Sequence, residues 1–500
     1  YDIDALAEKI VSFNSKGGKI ILCHGVFDLL HIGHIKYFKE AKSMGGILIV
    51  TITPDRFVNK GPGRPAFNQK YRAEAIAALE VVDFVAINEW PTAIEPIKIL
   101  KPDLYVKGPD YKDYKEDVTG NIQLEEDAVK LGGGRIAFTS DVTFSSSLLI
   151  NQQISQLDNE QKQFLEKLKS KYSFNQINEY IDQLKELKVL LIGELIIDEY
   201  VFCNTIGKSG KEPVLVSQKI SSDRYAGGVL AVANQISDFC KEGKVLSYLG
   251  DSDESNQFIK QNLGPNISLD CIIKSDSPTI LKTRYIDNYT KTKTLGVYDI
   301  NDKLINEEEE SEFSSKFQQH VEEFDVVIVV DYGHGLISPE IVRLVQEKSR
   351  YLAVNTQLNS FNIGFHSISK YSNADYICVH EGELRHDYRN RSDTVNSLIK
   401  NLSERVRSDN ILITQGKKGS LAFNNDEFIS CPAYALNVVD RIGAGDTLLA
   451  ITSSCFSIGI PTDLTLFIGN LAAAEMVASV GTGMRLSKTN LLKGIRSLLK

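Results

Sequence analysis

Two short segments, one near the start of the chain and one near its end, constrain this sequence more than any other feature. In the first, the apolar residues 20–23 lead directly into HGVFDLLHIGH, residues 24–34. A buried strand followed by a turn and a helix brings N–H donors and imidazoles around one anion. The second segment, residues 440–446, reads DRIGAGD. Its glycines allow backbone amides to surround a phosphate at the start of a helix. Together they predict two phosphate-transfer sites.

The pattern of apolar segments predicts an α/β protein with two domains. Residues 19–150 alternate strand-like segments (47–53, 83–88, 103–108) with helix-like ones (34–44, 68–80, 121–131), which indicates a doubly wound parallel sheet. Strand-like segments return at 188–200, 326–333, 351–356, 375–380 and 410–416. We therefore predict a doubly wound, Rossmann-like α/β domain over residues 1–150, a helical connector over 151–186, and a second α/β domain over 187–500. The connector is either a solvated helix or an oligomer contact.

Composition narrows the functional classes. The chain has 500 residues, more than one hydrophobic core usually serves, and a formal net charge of −9, which argues against non-specific nucleic-acid binding. Its seven cysteines are scattered without a CxxC pair, which is typical of a reducing cytoplasm and offers no zinc cluster. No apolar stretch has membrane-spanning length. We therefore expect a cytoplasmic enzyme that acts on small molecules and has no nucleic-acid or membrane partner.

The first segment suits nucleotidyl transfer. The attacking phosphate is already an anion, so the reaction needs donors and positive charge near the α-phosphate more than a strong base. His31 and His34 would supply donors, and Gly33 would let a phosphate approach closely.

Residues 19–150 resemble the cytidylyltransferase-like group, and among them the adenylyltransferase half of bifunctional heptose-phosphate kinase/adenylyltransferases of bacterial surface-sugar synthesis. The resemblance rests on residues 25–45, 64–65, 69, 72, 78–85 and 106–111. It implies that His31 and His34 contact a triphosphate and that Arg72 and Lys107 neutralise phosphates. It also implies nucleotide or phosphate contacts for the opening turn and for a late serine motif, at Gly25, Phe27, Asp28, Gly33, Ser145 and Ser146.

The second segment suits phosphoryl transfer to a sugar hydroxyl. That reaction needs a base for the hydroxyl proton, N–H donors for the phosphoryl group, and magnesium. Asp446 is the candidate base, and Gly443, Ala444 and Gly445 form the candidate anion hole.

Residues 188–500 resemble the ribokinase-like carbohydrate kinases. The resemblance implies sugar contacts for Asp198, Gly227 and Gly228 and an indirect magnesium role for Glu383. It implies nucleotide contacts for Thr414, Gly416, Gly419 and Asn470. The chain departs from the family pattern at Ala231, His334, Asn355–Thr356, His380 and Arg441, around the expected sugar and phosphate contacts.

These observations predict a bifunctional enzyme that makes a nucleotide-activated sugar, by resemblance ADP-heptose, with the transferase preceding the kinase. It would use Mg²⁺ and ATP, act with a separate phosphatase on sugar phosphates, and form a homo-oligomer. One alternative is a CTP-dependent cytidylyltransferase for a polyol or other sugar phosphate. Another is a transferase whose kinase-like domain only binds sugar as a regulatory module.

Overall fold

The computed structural model describes residues 1–14, 18–58, 64–111, 121–140, 157–251, 255–436, 438–478 and 484–499. The chain divides into two compact units, one of residues 1–158 with 489–500 and one of residues 159–488. Among the described residues, none of the helices combines the length and the apolar character that crossing a bilayer requires.

Among its described residues before 140, the first unit contains five strands and five helices. The strands are β1 (Ile20–Gly25), β2 (Ile47–Ile52), β3 (Phe84–Ile87), β4 (Leu104–Lys107) and β5 (Arg135–Phe138). The helices are α1 (Ile3–Asn14), α2 (Ile32–Ser43), α3 (Gln69–Ala77), α4 (Ile94–Leu100) and α5 (Asn121–Leu131).

The five strands form one parallel sheet in the order β3-β2-β1-β4-β5. The side chains of β1 pack alternately into two hydrophobic clusters on the two faces of the sheet. Leu22 belongs to one cluster, and Ile21 and Cys23 belong to the other. The strand order reverses between β1 and β4, and crevices at such a reversal bind ligands beyond the carboxyl ends of the strands. The turn after β1 therefore lies at the edge where a nucleotide is expected.

The second unit begins with two helices and continues with thirteen strands among the described residues. Its helices are α6 (Asn159–Lys171), α7 (Phe174–Gln183), α8 (Val229–Ile236), α9 (Asn256–Gln261), α10 (Glu307–His320), α11 (Pro339–Lys348), α12 (Glu381–Asp387), α13 (Val395–Val406), α14 (Ala444–Ser457) and α15 (Thr462–Met476). The last helix, α16 (Lys488–Leu498), falls with the first unit from Thr489 onward.

The strands of this unit are β6 (Lys188–Gly193), β7 (Leu195–Lys208), β8 (Leu215–Gly228), β9 (Glu242–Gly250), β10 (Ile267–Lys274), β11 (Ile280–Asp287), β12 (Lys293–Asp299), β13 (Val326–Asp331), β14 (Leu352–Thr356), β15 (Tyr376–His380), β16 (Asn410–Thr414), β17 (Ser420–Asn424) and β18 (Glu427–Cys431).

These strands form two sheets. Nine of them follow the order β10-β9-β6-β13-β14-β15-β16-β17-β18, parallel up to β16 and antiparallel after it. The other four form a separate sheet, β12-β11-β7-β8. The fold confirms the predicted α/β class. The separate sheet is absent from the sequence prediction, because the apolar segment 188–200 hides a break at Glu194 between β6 and β7.

Candidate active sites

His31 and His34 lie at the start of α2, directly after the turn that follows β1. His31 is the N-cap residue, and its Nδ1 accepts a hydrogen bond from the Gly33 N–H at 3.1 Å. The two imidazole rings are stacked, with centroids 3.9 Å apart and planes 27° apart. Burial lowers the pKa of His31. Because Nδ1 accepts, a neutral His31 carries its proton on Nε2, and this N–H is a donor.

The turn itself is shaped by Phe27. Its backbone has a φ of +49°, a left-handed conformation that few residues other than glycine adopt. Its ring contacts the His34 ring edge-on, with centroids 5.3 Å apart. A Cβ at Gly25 would lie 2.9 Å from the Phe27 ring, so a larger residue there would require the ring to shift. Phe27 therefore contacts the histidine pair directly, and Gly25 leaves room for the Phe27 ring.

Asp28 is buried and holds the segment after residue 63 against the turn. Its Oδ2 pairs with Arg64 at 3.1 Å, and its Oδ1 accepts the N–H of Ala66 at 2.6 Å. Both carboxylate oxygens are thus occupied by protein donors. This arrangement favours a positioning role for Asp28 over a direct phosphate contact.

Arg72 is likewise buried within the protein. Its Nε donates to the carbonyl oxygen of Phe67 at 3.0 Å, and one terminal nitrogen donates to that of Val26. The other terminal nitrogen donates to Thr53 O at 2.9 Å and to Asp55 Oδ1 at 2.6 Å. The guanidinium therefore directs its donors to the scaffold, and the geometry favours Arg72 as a structural clamp rather than the predicted phosphate ligand.

Lys107 ends β4, beside the end of β1. Its Nζ pairs with Glu125 Oε2 at 2.8 Å, and both side chains are buried. His24, on β1, has a pKa lowered to about 3 by burial and by the charge of Lys107. The lysine thus brings positive charge to the predicted edge, partly balanced by Glu125. Ser145 and Ser146 lie outside the described residues.

In the second unit, Asp446 lies in the first turn of α14. The N-cap residue Gly443 has a φ of +85°, a conformation that favours glycine. The Tyr332 hydroxyl donates to Asp446 Oδ1 at 2.9 Å. Burial raises the pKa of Asp446 to about 6, against the opposing effects of the Tyr332 hydrogen bond and the charge of Lys282. A desolvated carboxylate with a raised pKa at a helix start has the properties of a general base.

Asp198, on β7, is buried opposite the glycine pair. Its Oδ1 pairs with Arg284 of β11. A Cβ at Gly227 would lie 2.4 Å from Asp198 Oδ2, and Gly228 combines a φ of +59° with a backbone oxygen 2.3 Å from its hypothetical Cβ. The close approach of the Asp198 carboxylate leaves little room for a side chain at Gly227, and the positive φ and the nearby Glu194 carbonyl oxygen favour glycine at Gly228.

Lys282 is a site residue that the sequence analysis missed. It lies on β11 two positions from Arg284, is 8% exposed, and makes cation–π contacts with the Tyr298 and Tyr332 rings at 5.8 Å. Burial lowers its pKa to about 8, although the charges of Asp198, Glu194 and Asp446 favour its protonated form. The alternation of Lys282 and Arg284 along ILKTRYID was the available signal, since both residues share one face of a strand.

The residues predicted to contact the kinase nucleotide differ in how much space surrounds them. Thr414 ends β16, and Gly419 has a φ of +93° with a backbone oxygen only 2.1 Å from its hypothetical Cβ. Gly416, with a φ of +59°, faces open space and leaves room for a ligand. Asn470 is buried and donates to Ser420 Oγ at 2.7 Å, so its amide joins α15 to β17. This contact favours a structural role for Asn470.

Glu383 lies in α12 with both carboxylate oxygens hydrogen-bonded. They accept the N–H groups of His380 at 2.7 Å and Leu358 at 3.1 Å, and burial raises the Glu383 pKa to about 7. A cation nearby would favour its ionised form, which fits an indirect role toward magnesium. No group of three acidic, histidine or cysteine side chains that could hold a metal occurs among the described residues.

Several residues that depart from the family pattern are accommodated locally, whereas both ring nitrogens of the buried His334 have no hydrogen-bond partner among the described residues. His380 is the N-cap of α12, and Asn355 donates to Cys378 O at 2.7 Å. Ala231 is buried in α8. Beside the exposed Arg441, Asp440 pairs with Lys293 of β12 at 3.0 Å and accepts the Tyr200 hydroxyl at 3.1 Å. The loop before the glycine turn is therefore tied to the four-stranded sheet.

Comparisons with known proteins identify relatives of this chain. The chain is 27% identical over 307 residues to the bifunctional protein HldE of Campylobacter jejuni strain RM1221, covering 61% of this chain and 64% of the relative. It is 43% identical over 127 residues to HldE of Aliarcobacter butzleri, covering 25% and 26%. The matches thus span less than two thirds of these relatives' length.

A solved structure shares the fold of the larger unit. Phosphofructokinase-2 from Escherichia coli, crystallised with potassium, aligns over 63% of this chain and 100% of its own, with a TM-score of 0.51 and 12% identity. The cytidylyltransferase-like family model matches residues 22–155, around the histidine pair. The model of the pfkB family carbohydrate kinases matches residues 186–489, more than half of the sequence and the part that contains Asp198 and Asp446. With the glycine turn and its desolvated aspartate in place, the chain belongs to the pfkB family of carbohydrate kinases.

Proposed function

We propose that the protein is a bifunctional enzyme in which the second unit phosphorylates a sugar phosphate with ATP and the first unit joins a sugar 1-phosphate to a nucleoside triphosphate. The observation that supports the kinase most directly is the desolvated Asp446 carboxylate beside the turn at residues 443–445. The product we infer is an ADP-heptose-like nucleotide sugar. A separate phosphatase acts between the two steps.

In the kinase reaction, the acceptor hydroxyl oxygen attacks the γ-phosphorus of ATP and its proton passes to Asp446. The new O–P bond forms as the bond between the γ-phosphorus and the bridging oxygen breaks, and ADP leaves. Backbone N–H groups at the start of α14 stabilise the transferring phosphoryl group. Magnesium bound with the nucleotide supplies further neutralising charge, and Glu383 is the carboxylate that would face it indirectly.

In the transferase reaction, an oxygen of the sugar 1-phosphate attacks the α-phosphorus of the triphosphate, and pyrophosphate leaves. The attacking oxygen is already ionised, so no proton has to be removed. The N–H groups at the start of α2 and the His31 Nε2–H donate to the charge that develops. His34, stacked on His31 at 3.9 Å, completes the pair, and Lys107 adds positive charge at the neighbouring strand end.

The acceptor of the kinase is inferred to be anionic because of Lys282. This ammonium is 8% exposed and contacts the rings of two tyrosines, while the adjacent Arg284 is paired with Asp198. A phosphate on the acceptor would neutralise the charge of Lys282 in this desolvated place. The variant Lys282→Met is expected to raise KM for a phosphorylated sugar at least about tenfold, the equivalent of one charge-assisted hydrogen bond. KM for ATP should stay unchanged, and an equal rise in both would contradict this role.

The experiment that tests the overall proposal measures the two reactions separately. Phosphoryl transfer is followed as ADP release with heptose and hexose phosphates as acceptors. Nucleotidyl transfer is followed as pyrophosphate release with ATP and CTP side by side. We expect ATP to be preferred. We expect Asp446→Asn to remove phosphorylation and His34→Ala to lower nucleotidyl transfer by about 10²-fold, each sparing the other reaction. A preference for CTP would favour a cytidylyltransferase.

Tight sugar binding by the wild-type protein with no phosphorylation would favour a regulatory module in place of the kinase. The proposed homo-oligomer is checked on the same preparation by light scattering, where a monomeric mass would contradict it.

A further inference from the structure

Tyr332 follows the last residue of β13, and both its backbone N–H and its backbone carbonyl oxygen are hydrogen-bonded to side chains. Its N–H donates to the buried Glu194 Oε2 at 3.0 Å. Its carbonyl oxygen accepts the amide N–H groups of Asn359 at 2.7 Å and Asn362 at 2.8 Å. The backbone of Tyr332 is therefore fixed by three side chains from two other segments of the chain.

The Tyr332 side chain is 5% exposed and reaches across to α14. Its hydroxyl donates to Asp446 Oδ1 at 2.9 Å. We propose that Tyr332 is the positioning residue of the kinase site: its hydroxyl occupies Oδ1 of Asp446 and leaves Oδ2 as the oxygen that receives the proton of the acceptor. This inference rests on the proposed function, in which Asp446 is the base.

The effect on proton affinity follows from the groups around Asp446. Asp198 on β7 disfavours the ionised form, as do the burial of the site and the neighbouring Glu383 on α12, whereas Lys282 on β11 favours it. Cys378 on β15 also faces it, with its thiol pKa raised to about 12 by burial. Burial holds the Tyr332 pKa well above its usual range, so its hydroxyl remains a donor throughout the working pH range.

The test is the variant Tyr332→Phe, which removes the hydroxyl and keeps the ring against Lys282. Without this donor the ionised carboxylate is less stable, so the acidic limb of kcat/KM should move up by about one pH unit. We expect kcat to fall at least about tenfold at pH 7, because the carboxylate is both mispositioned and more often protonated. KM for ATP and for the acceptor should stay within about twofold.

The matched control is Tyr376→Phe. The Tyr376 hydroxyl is also buried and contacts the same helix, at Thr452 Oγ1, 2.7 Å away. It does not touch Asp446. We expect its pH profile to coincide with that of the wild type. A shift of the same size in the control, or an unshifted limb in Tyr332→Phe, would overturn the proposal.

A readout that needs no turnover separates this proposal from the proposed function. The difference in unfolding free energy between the wild type and Asp446→Asn levels off above the pKa of Asp446 in the folded protein. That pH should rise when Tyr332→Phe is introduced into both proteins. If the wild type phosphorylates no acceptor yet this shift appears, the kinase function fails while the contact stands. If the shift is absent, Tyr332 does not hold the carboxylate.

Discussion

Replacing the inferred base is expected to make the second unit more stable while it abolishes phosphorylation. Asp446→Asn keeps the side-chain shape and an oxygen that can accept the Tyr332 hydroxyl, but it removes the ionised carboxylate. The pKa of Asp446 is raised from an ordinary 3.8 to about 6, first by burial and next by the charge of Asp198. The folded protein therefore resists ionising this group, and ionisation at neutral pH costs stability.

The magnitude follows from the size of the shift. A change of about 2 pKa units at about 1.4 kcal/mol per unit corresponds to about 2 to 3 kcal/mol. Because the folded-state pKa is raised, the unfolded chain loses this proton first as the pH rises. Wild-type stability should therefore fall between about pH 4 and pH 6 through this group and then level off. The Asp446→Asn variant lacks that decline, so its advantage should be near zero at pH 4 and full at pH 7.

Urea unfolding followed by circular dichroism at pH 4.5 and pH 7.5 measures this difference. The chain has one tryptophan, Trp90, in the first unit, so its fluorescence reports the unfolding of that unit and should not change. Asp426→Asn is the matched control. Asp426 is exposed in the turn between β17 and β18, where its φ of +65° suits asparagine equally well.

Equal stability of wild type and Asp446→Asn at pH 7.5 would refute the reasoning, since it would mean that ionising the carboxylate carries no desolvation cost. An advantage of the same size at pH 4.5 would also refute it. A stabilised variant that still phosphorylates sugar would show that the carboxylate is desolvated but is not the base.

Three further predictions concern the two sites. His34→Ala should lower nucleotidyl transfer by about 10²-fold, the usual effect of losing one donor to transition-state charge, and leave phosphorylation intact; equal loss of both would indicate a folding defect. Arg72→Lys should destabilise the first unit by about 2 kcal/mol or more, because one ammonium cannot reach the four acceptors of the guanidinium. Unfolding is followed by Trp90 fluorescence, and weaker triphosphate binding at unchanged stability would instead support Arg72 as a phosphate ligand. Gly227→Ala should raise KM for the acceptor about tenfold at constant KM for ATP, since its Cβ would lie 2.4 Å from Asp198 Oδ2; an unchanged acceptor KM would remove Asp198 from the sugar site.

The sequence predicted most of the parallel strands in the five-stranded and nine-stranded sheets, because those strands are continuous apolar runs. It also placed the two turns that follow β1 and precede α14, where glycine and polar residues occur at fixed spacings. It missed the four-stranded sheet. The exposed strands β8 and β12 have no apolar run to mark them, and the apolar start of β7 merges with β6.

The roles of individual charged residues were harder to predict than their presence in the sites. The phosphate-neutralising roles of Arg72 and Lys107 were predicted from the resemblance to the cytidylyltransferase-like group. The structure pairs them with Asp55 and Glu125, and those partners come from distant segments that no local pattern connects. The contact between Tyr332 and Asp446 could not be predicted from the sequence, since it depends on the folding of β13 against α14.

The order of strands in the parallel sheets also determines when each site can exist during synthesis. Strand β1 pairs with β4, with Ile21 opposite Leu104. The turn that carries the histidines is therefore not flanked by β4 until the ribosome has synthesised and released that strand. Likewise β6 pairs with β13, as Val189 with Val326, and Asp446 is translated later still. Such distant pairings fold slowly and leave apolar strands uncovered in the nascent chain. Cellular yield should therefore depend on chaperones and translation speed as well as on the final stability of each unit.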